Sequence, residues 1–337
     1  MAPSNPSTMR AWQYTSTPGG LERNLSLNTS VPYPFTSPSP NELIIQVHAT
    51  ALNPADYKLA EVPLVPLIFP RKPASPSMDF SGVVHAAGAT SGLSPGDRVA
   101  GRIPPTQYGA LSEYVKVDRG AVARLPDAVG FVDGACLGTA GMTALQSLEG
   151  VREGDRVLVN GGSGGVGTYA VQIAKLLGAR VTATCSSANV SLVRELGAGE
   201  VVDYKGRDVG EVARMGEWDL VVDLVGKPFG LHKACDGGMK RGGRFVQVGA
   251  GVDFWSLVDV MRSALLPGVL GGAKTKWKFL MVGNKREDVE RLVEWTAQGK
   301  LKTVVDTVFA YEDAPKAFEK LKTGRARGKI VVSNSDR

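Results

Sequence analysis

The stretch Arg156-Val157-Leu158-Val159-Asn160-Gly161-Gly162-Ser163-Gly164-Gly165-Val166-Gly167 decides the fold, read together with Arg180-Val181-Thr182-Ala183-Thr184-Cys185. A short apolar run enters a glycine turn. Apolar residues then recur at Val166, Ala170, Ile173, Ala174 and Leu177, the spacing of one helix face, until Gly178 stops the helix. Strand, glycine turn, helix and second strand, in that order, predict a dinucleotide-binding unit. Gly162, Gly164 and Gly167 stand at the spacing of a turn glycine, a pyrophosphate-approach glycine and a helix-packing glycine. In a chain with 41 glycines the spacing alone carries little, and the flanking strand and helix make it specific.

The end of the second strand should lie beside the adenosine ribose, where an Asp or Glu usually accepts from the 2'-hydroxyl of NAD. No acidic residue occurs between Asp155 and Glu195. Ser186, Ser187 and Asn189 stand there instead. Their small donors suit a 2'-phosphate that a carboxylate would repel, so NADPH is expected over NADH. The same residues also suit the cap of a helix from about Asn189 to Leu196, and the two roles are compatible.

The 337 residues suffice for two domains with full cores, and 43% hydrophobic with 21% charged residues is an ordinary globular composition. No run of 18 apolar residues occurs, and Met1 to Thr8 lacks the blocks of a signal peptide, so no membrane association and a cytoplasmic location are expected. Cys136, Cys185 and Cys235 are far apart and imply no disulfide framework. The net charge of +6 includes the alternating sets Lys274, Lys276, Lys278 and Arg325, Arg327, Lys329. Without interleaved aromatics or a nucleic-acid module, these read as solvated faces, and no nucleic-acid partner is expected.

Residues 1 to about 128 are rich in proline, glycine and short alternating runs such as Glu42 to His48, which predicts a mostly β domain. From about 129 to 283 strands alternate with helices. Six strands are expected, at Val157–Val159, Val181–Cys185, Val201–Val202, Leu220–Asp223, Arg244–Val248 and Phe279–Val282, forming a doubly wound parallel sheet in an α/β fold. The tail, 284–337, reads as helix, strand, helix and strand, and is expected to rejoin the first domain.

A resemblance runs along nearly the whole chain. It is carried by Asn53-Pro54-Ala55-Asp56-Tyr57-Lys58, Asp79-Phe80-Ser81-Gly82-Val83-Val84, Gly96-Asp97-Arg98-Val99, Gly109-Ala110-Leu111-Ser112-Glu113-Tyr114, Gly141-Met142-Thr143-Ala144, Glu195-Leu196-Gly197-Ala198 and Gly324-Arg325-Ala326-Arg327-Gly328-Lys329. The chain resembles the medium-chain dehydrogenase/reductase superfamily, in its zinc-independent branch of quinone oxidoreductases and enoyl reductases. The resemblance implies a GroES-like β-rich catalytic domain, a Rossmann domain, NADPH and often a homodimer. It also implies cofactor contacts from Thr143 near the nicotinamide, from Tyr204 and from Lys329 near the adenosine phosphate. Leu224-Val225 and Val248-Gly249 would line the crevice at the strand ends. Together with Gly162, Ser163, Gly164, Gly165, Val166, Gly167, Ser186, Ser187 and Asn189, they form the expected cofactor site.

The superfamily's alcohol dehydrogenases hold catalytic zinc with Cys, His and Cys. Here Asn53 and Met78 stand at the first two positions and only Cys136 at the third, while His48, His85 and His232 are not at ligand spacing. No metal is expected. Reduction of a quinone or α,β-unsaturated carbonyl then needs only hydrogen-bond donors and a proton for the developing enolate or phenolate. Asn53, Tyr57 and Lys58 are the candidate donors, with Tyr57 or Lys58 as proton source and Asp56 orienting them. The apolar stretch Pro63 to Pro70 suggests an apolar acceptor, and Trp255, Met261 and Trp277 are placed opposite it or in the core. Two other readings stand beside the reductase: a non-catalytic NADPH-binding sensor or scaffold, and a residual zinc alcohol dehydrogenase.

Overall fold

A computed structural model describes residues 6–33, 37–62, 72–107, 109–226, 228–249, 251 and 254–334. The apolar stretch Pro63 to Pro70 lies outside the described residues. In chain order the first elements are β1 (Thr8–Gln13), β2 (Ser26–Pro32), β3 (Glu42–Leu52), α1 (Pro54–Glu61), β4 (Asp79–Ala87), β5 (Arg98–Arg102), β6 (Tyr114–Asp118), β7 (Val122–Arg124), α2 (Phe131–Cys136) and α3 (Met142–Ser147). The middle holds β8 (Arg156–Asn160), α4 (Gly165–Leu176), β9 (Arg180–Cys185), α5 (Val190–Glu195), β10 (Glu200–Asp203), α6 (Val209–Met215), β11 (Trp218–Asp223), α7 (Pro228–Ala234), β12 (Met239–Val248), α8 (Phe254–Leu265) and β13 (Lys276–Leu280). The chain ends with α9 (Arg286–Ala297), β14 (Val305–Ala310), α10 (Ala314–Lys322) and β15 (Lys329–Ser333).

These elements form two compact units, residues 1–142 with 283–337, and residues 143–282. The expected boundary near 128 differs from this division because α2 packs on β3, β4 and β5 and so stays with the first unit.

The first unit is a β domain with the order β14-β15-β3-β4-β5-β7, in which β6 also pairs with β3. The tail returns as expected, with β15 antiparallel to β3 and β14 parallel to β15. Leu43, Ile45, Met78, Phe80, Val99 and Val122 fill one core, while Trp12, Leu21, Leu52, Phe318 and Ile330 fill a second under α10. Burying such side chains stabilises the unit by roughly 1.5–3 kcal/mol each.

The second unit is a parallel six-stranded sheet in the order β10-β9-β8-β11-β12-β13, the doubly wound pattern expected from the alternation. Its central strands are apolar runs because helices cover both faces, and α4 is buried along most of its length. The sixth strand covers Lys276–Leu280 instead of Phe279–Val282. Lys276-Trp277-Lys278-Phe279 alternates exposed with partly buried residues, as an edge strand does. Among the described residues, no helix is long and apolar enough to cross a membrane.

Candidate functional site

In the second unit the glycine loop joins β8 to the N-terminus of α4, where unpaired backbone N–H groups and the helix dipole favour an anion. Gly161 takes φ +96°, so the glycine that the turn demands is Gly161 and not Gly162. A Cβ on Gly162 would lie 3.0 Å from the Ala183 Cβ, so Gly162 instead packs against β9. A Cβ on Gly167 would lie 2.1 Å from the Gly161 carbonyl oxygen, leaving no room for a side chain where helix meets loop. At Gly164 the nearest atom would be 3.7 Å away, so this position is open, as a backbone that receives a pyrophosphate must be. The loop therefore fits a dinucleotide.

A chain of buried polar groups pins the loop from below. The Gly161 amide donates to Thr184 Oγ1 at 3.0 Å, Thr184 Oγ1 donates to Asn160 Oδ1 at 2.7 Å, and Asn160 Nδ2 donates to Asp223 Oδ1 at 2.8 Å. Asp223 is fully buried and its carboxyl is raised above the usual carboxylate range by burial. Thr184, Asn160 and Asp223 were not among the expected site residues, because only the parallel register of β9, β8 and β11 brings them together.

Ser163, Ser186 and Asn189 lie together. Asn189 Nδ2 donates to Ser163 Oγ at 3.1 Å and to Ser186 Oγ at 3.3 Å, linking the glycine loop to the end of β9. Ser187 turns elsewhere and donates to Asp203 Oδ2 at 2.5 Å. Tyr204 follows Asp203 and is exposed. The absence of an acid in the sequence window after β9 thus does not extend to space, since β10 delivers one. Val225 is exposed, Leu224 and Val248 are partly buried, and Gly249 has φ +72°, all just beyond or at the ends of β11 and β12. Thr143 is buried near the start of α3. Trp255 and Met261 are exposed on α8, whereas Trp277 packs on the core and donates to Gln247 Oε1 at 3.1 Å.

In the first unit Asn53 caps α1 and Pro54 follows at a position where a missing N–H costs nothing. The Asn53 amide donates to Asp56 Oδ2 at 2.7 Å, which places Asp56 on the buried face of the helix. Asn53 Nδ2 donates to Asp79 Oδ2 at 2.8 Å, and Asn53 Oδ1 accepts from Lys329 Nζ at 2.6 Å. Lys329 Nζ also donates to the Leu52 carbonyl at 2.9 Å and stands 3.8 Å from Asp79 Oδ2. On the other side Asp79 Oδ1 accepts from the Thr139 amide and hydroxyl, both at 2.7 Å, and Thr139 Oγ1 accepts from Arg102 Nε at 2.9 Å. Arg102 continues to Asn284 and to the Met78 sulfur.

This cluster corrects two expectations. Lys329 is 3% exposed, so it belongs neither to a solvated basic face nor to an exposed adenosine phosphate, since its ammonium is already held by Leu52, Asn53 and Asp79. Asn53 is also buried with its amide engaged, which makes it a holder of the cluster more than a free donor. Asp79, Arg102 and Thr139 were missed, having no motif spacing that links them.

Tyr57 and Lys58 lie about 100° and 200° around the helix from Asp56, so they do not share its fully buried position. Tyr57 packs on the core beside α10 with Lys322 Nζ 5.2 Å above its ring, and both Tyr57 and Lys58 are partly buried. The Tyr57 hydroxyl makes no hydrogen bond among the described residues, and burial followed by the nearby Glu61 raises its pKa. Burial raises the Asp56 carboxyl to about 7, assisted by Asp79, and its Oδ1 has no partner among the described residues. Burial likewise pushes the Cys136 thiol up to about 12.

Those environments do not fit zinc. A cation needs a thiolate and neutral donors. Here Met78 accepts from Arg102 and Asn53 is occupied by Lys329, so two fixed cations already stand among the positions a metal would use and Cys136 is left as a single soft ligand.

The chain matches the alcohol dehydrogenase GroES-like domain family over residues 39–127 and the zinc-binding dehydrogenase family over residues 196–332. It is 41% identical to the trans-enoyl reductase pgmF of Aspergillus terreus, over 98% of each chain. It is 32% identical to the chloroplast envelope quinone oxidoreductase homolog of Arabidopsis thaliana, over 96% of this chain and 98% of that one. Among solved structures it resembles the quinone oxidoreductase from Coxiella burnetii, with a TM-score of 0.82, 29% identity, and coverage of 96% and 99%.

Proposed function

The chain belongs to the medium-chain dehydrogenase/reductase superfamily, in the branch of quinone oxidoreductases and enoyl reductases, and from that premise we propose that it is an NADPH-dependent, metal-independent reductase of quinones or α,β-unsaturated carbonyls. The observation that carries this reading is the cluster around Asn53, in which Lys329 and Arg102 bring fixed positive charge to metal-ligand positions. Below a pH of about 7, where Asp56 keeps its proton, two cations stand with the single carboxylate of Asp79, and the remaining positive charge favours a developing oxyanion without a Lewis acid.

When bound, NADPH supplies a hydride from the nicotinamide to the electron-poor carbon of the acceptor, whose oxygen becomes an enolate or phenolate that is neutralised by one proton. Gly161 to Gly167 offer bare main chain to the pyrophosphate. Ser163, Ser186 and Asn189 hold the 2'-phosphate, with Ser187 and Tyr204 at its edge. Thr143, Leu224, Val225, Val248 and Gly249 position the nicotinamide half. Asn53 and Asp56 fix the first turn of α1, and Tyr57, whose hydroxyl makes no hydrogen bond among the described residues, delivers the proton, with Lys58 beside it. The acceptor is a small apolar conjugated carbonyl or quinone, a class in keeping with the names of the relatives. The reading includes a homodimer formed through the second unit, supported by β13 at a sheet edge and by the exposed Trp255, Leu257, Met261 and Leu265 of the adjacent α8.

NADPH oxidation against quinones, enones and unactivated aldehydes, with and without a chelator, tests the proposal. Turnover confined to conjugated acceptors and indifferent to the chelator is expected. Turnover that appears only with added zinc would reject it.

A further inference from the structure

Ser187 and Asp203 come from different strands, and their contact bears on the choice between NADPH and NADH. Asp203 ends β10 in register with Cys185, the last residue of β9, and Ser187 lies two residues further on. Ser187 Oγ donates to Asp203 Oδ2 at 2.5 Å, while the Lys205 amide donates to Oδ1 at 2.9 Å. A hydroxyl spent on a carboxylate is unavailable to a phosphate, and the carboxylate itself is a negative charge beside the place where Ser186 and Asn189 would hold one. The same carboxylate is a good acceptor for a ribose 2'-hydroxyl.

Resting on the NADPH site proposed above, we propose that Asp203 weakens the preference for the 2'-phosphate, so that the site accepts NADH as well as NADPH. Lys205, next but one in sequence, offsets part of the repulsion. The remainder is a short-range effect of one carboxylate on a nearly dianionic group and is sensitive to salt.

Titration of the full chain with NADPH and with NADH, followed by nicotinamide fluorescence, tests this in wild type and in Asp203→Asn. Asn preserves the shape: its Oδ1 accepts from the Lys205 amide, and its Nδ2 donates to the Ser187 hydroxyl, which can turn to accept, so the loop keeps its form; circular dichroism checks that the fold is retained. Removing the charge is expected to tighten NADPH by about fivefold at low salt, less at high salt, with NADH unchanged or weaker. An unchanged NADPH dissociation constant in Asp203→Asn overturns the inference. A wild type that prefers NADH overturns the NADPH reading alone, and Asp203→Asn then still decides the inference by whether the preference moves toward NADPH. Binding of neither coenzyme by either protein overturns both.

Discussion

Asp56 holds its proton up to a pH of about 7 because ionising it would bury a charge beside Asp79. The native state therefore binds more protons than the unfolded chain between the ordinary carboxylate range and pH 7, and stability falls as pH rises through that window. The loss is on the order of 2–4 kcal/mol. Urea midpoints at pH 5 and pH 8 should show this fall in wild type and a much smaller one in Asp56→Asn, which stays neutral. Tyr57 is the other residue whose role can be isolated. If it gives the proton, Tyr57→Phe lowers kcat with an enone by about 100-fold while the NADPH dissociation constant stays put, whereas Lys58→Met has a smaller effect. Equal rates in wild type and Tyr57→Phe would assign the proton to solvent. Neither property follows from residue type. The motif places Asp56 and Tyr57 at adjacent positions, but only the pitch of α1 buries one and leaves the other's hydroxyl without a hydrogen bond among the described residues.

At the scale of the element, the β8–α4 turn separates packing from binding among its glycines. Gly167→Ala puts a methyl against the Gly161 carbonyl and must displace backbone, so a loss of stability of about 2 kcal/mol or more is expected together with loss of NADPH binding. Gly164→Ala meets nothing closer than 3.7 Å, so its melting temperature should stay near wild type while NADPH binding weakens. Thermal melts with parallel titrations check the pair, and equal destabilisation by both would contradict this division. Strand, turn and helix were legible because their signals are local: an apolar run, glycine spacing and a period of 3.6. The identity of the turn glycine was not, because φ +96° at Gly161 depends on how the loop crosses β9. The sixth strand was displaced for a related reason. An edge strand alternates charged with aromatic residues and lacks the continuous apolar run that marks the buried strands.

For the whole molecule, coenzyme binding should stabilise the second unit selectively. At a hundred times its dissociation constant, NADPH adds about 2.7 kcal/mol to the state that binds it. Hydrogen exchange should then slow chiefly at residues 160–168, 184–190 and 203–205, and uniform protection of both units would argue against a nucleotide site confined to these strand ends. The mostly β character of the first unit, the alternation of strands and helices in the second, the return of the tail, and the superfamily were legible in the sequence alone. Each rests on periodicity and on motifs that keep their spacing along the chain. The partners of side chains far apart in sequence were decided only by the tertiary structure. It placed Lys329 and Asp79 with Asn53, turned Ser187 to Asp203, and stacked Gly161, Thr184, Asn160 and Asp223 beneath the loop. The physical reason is that strand register and burial set these contacts, and with them charge and protonation, whereas local sequence constrains only the backbone that carries each residue there.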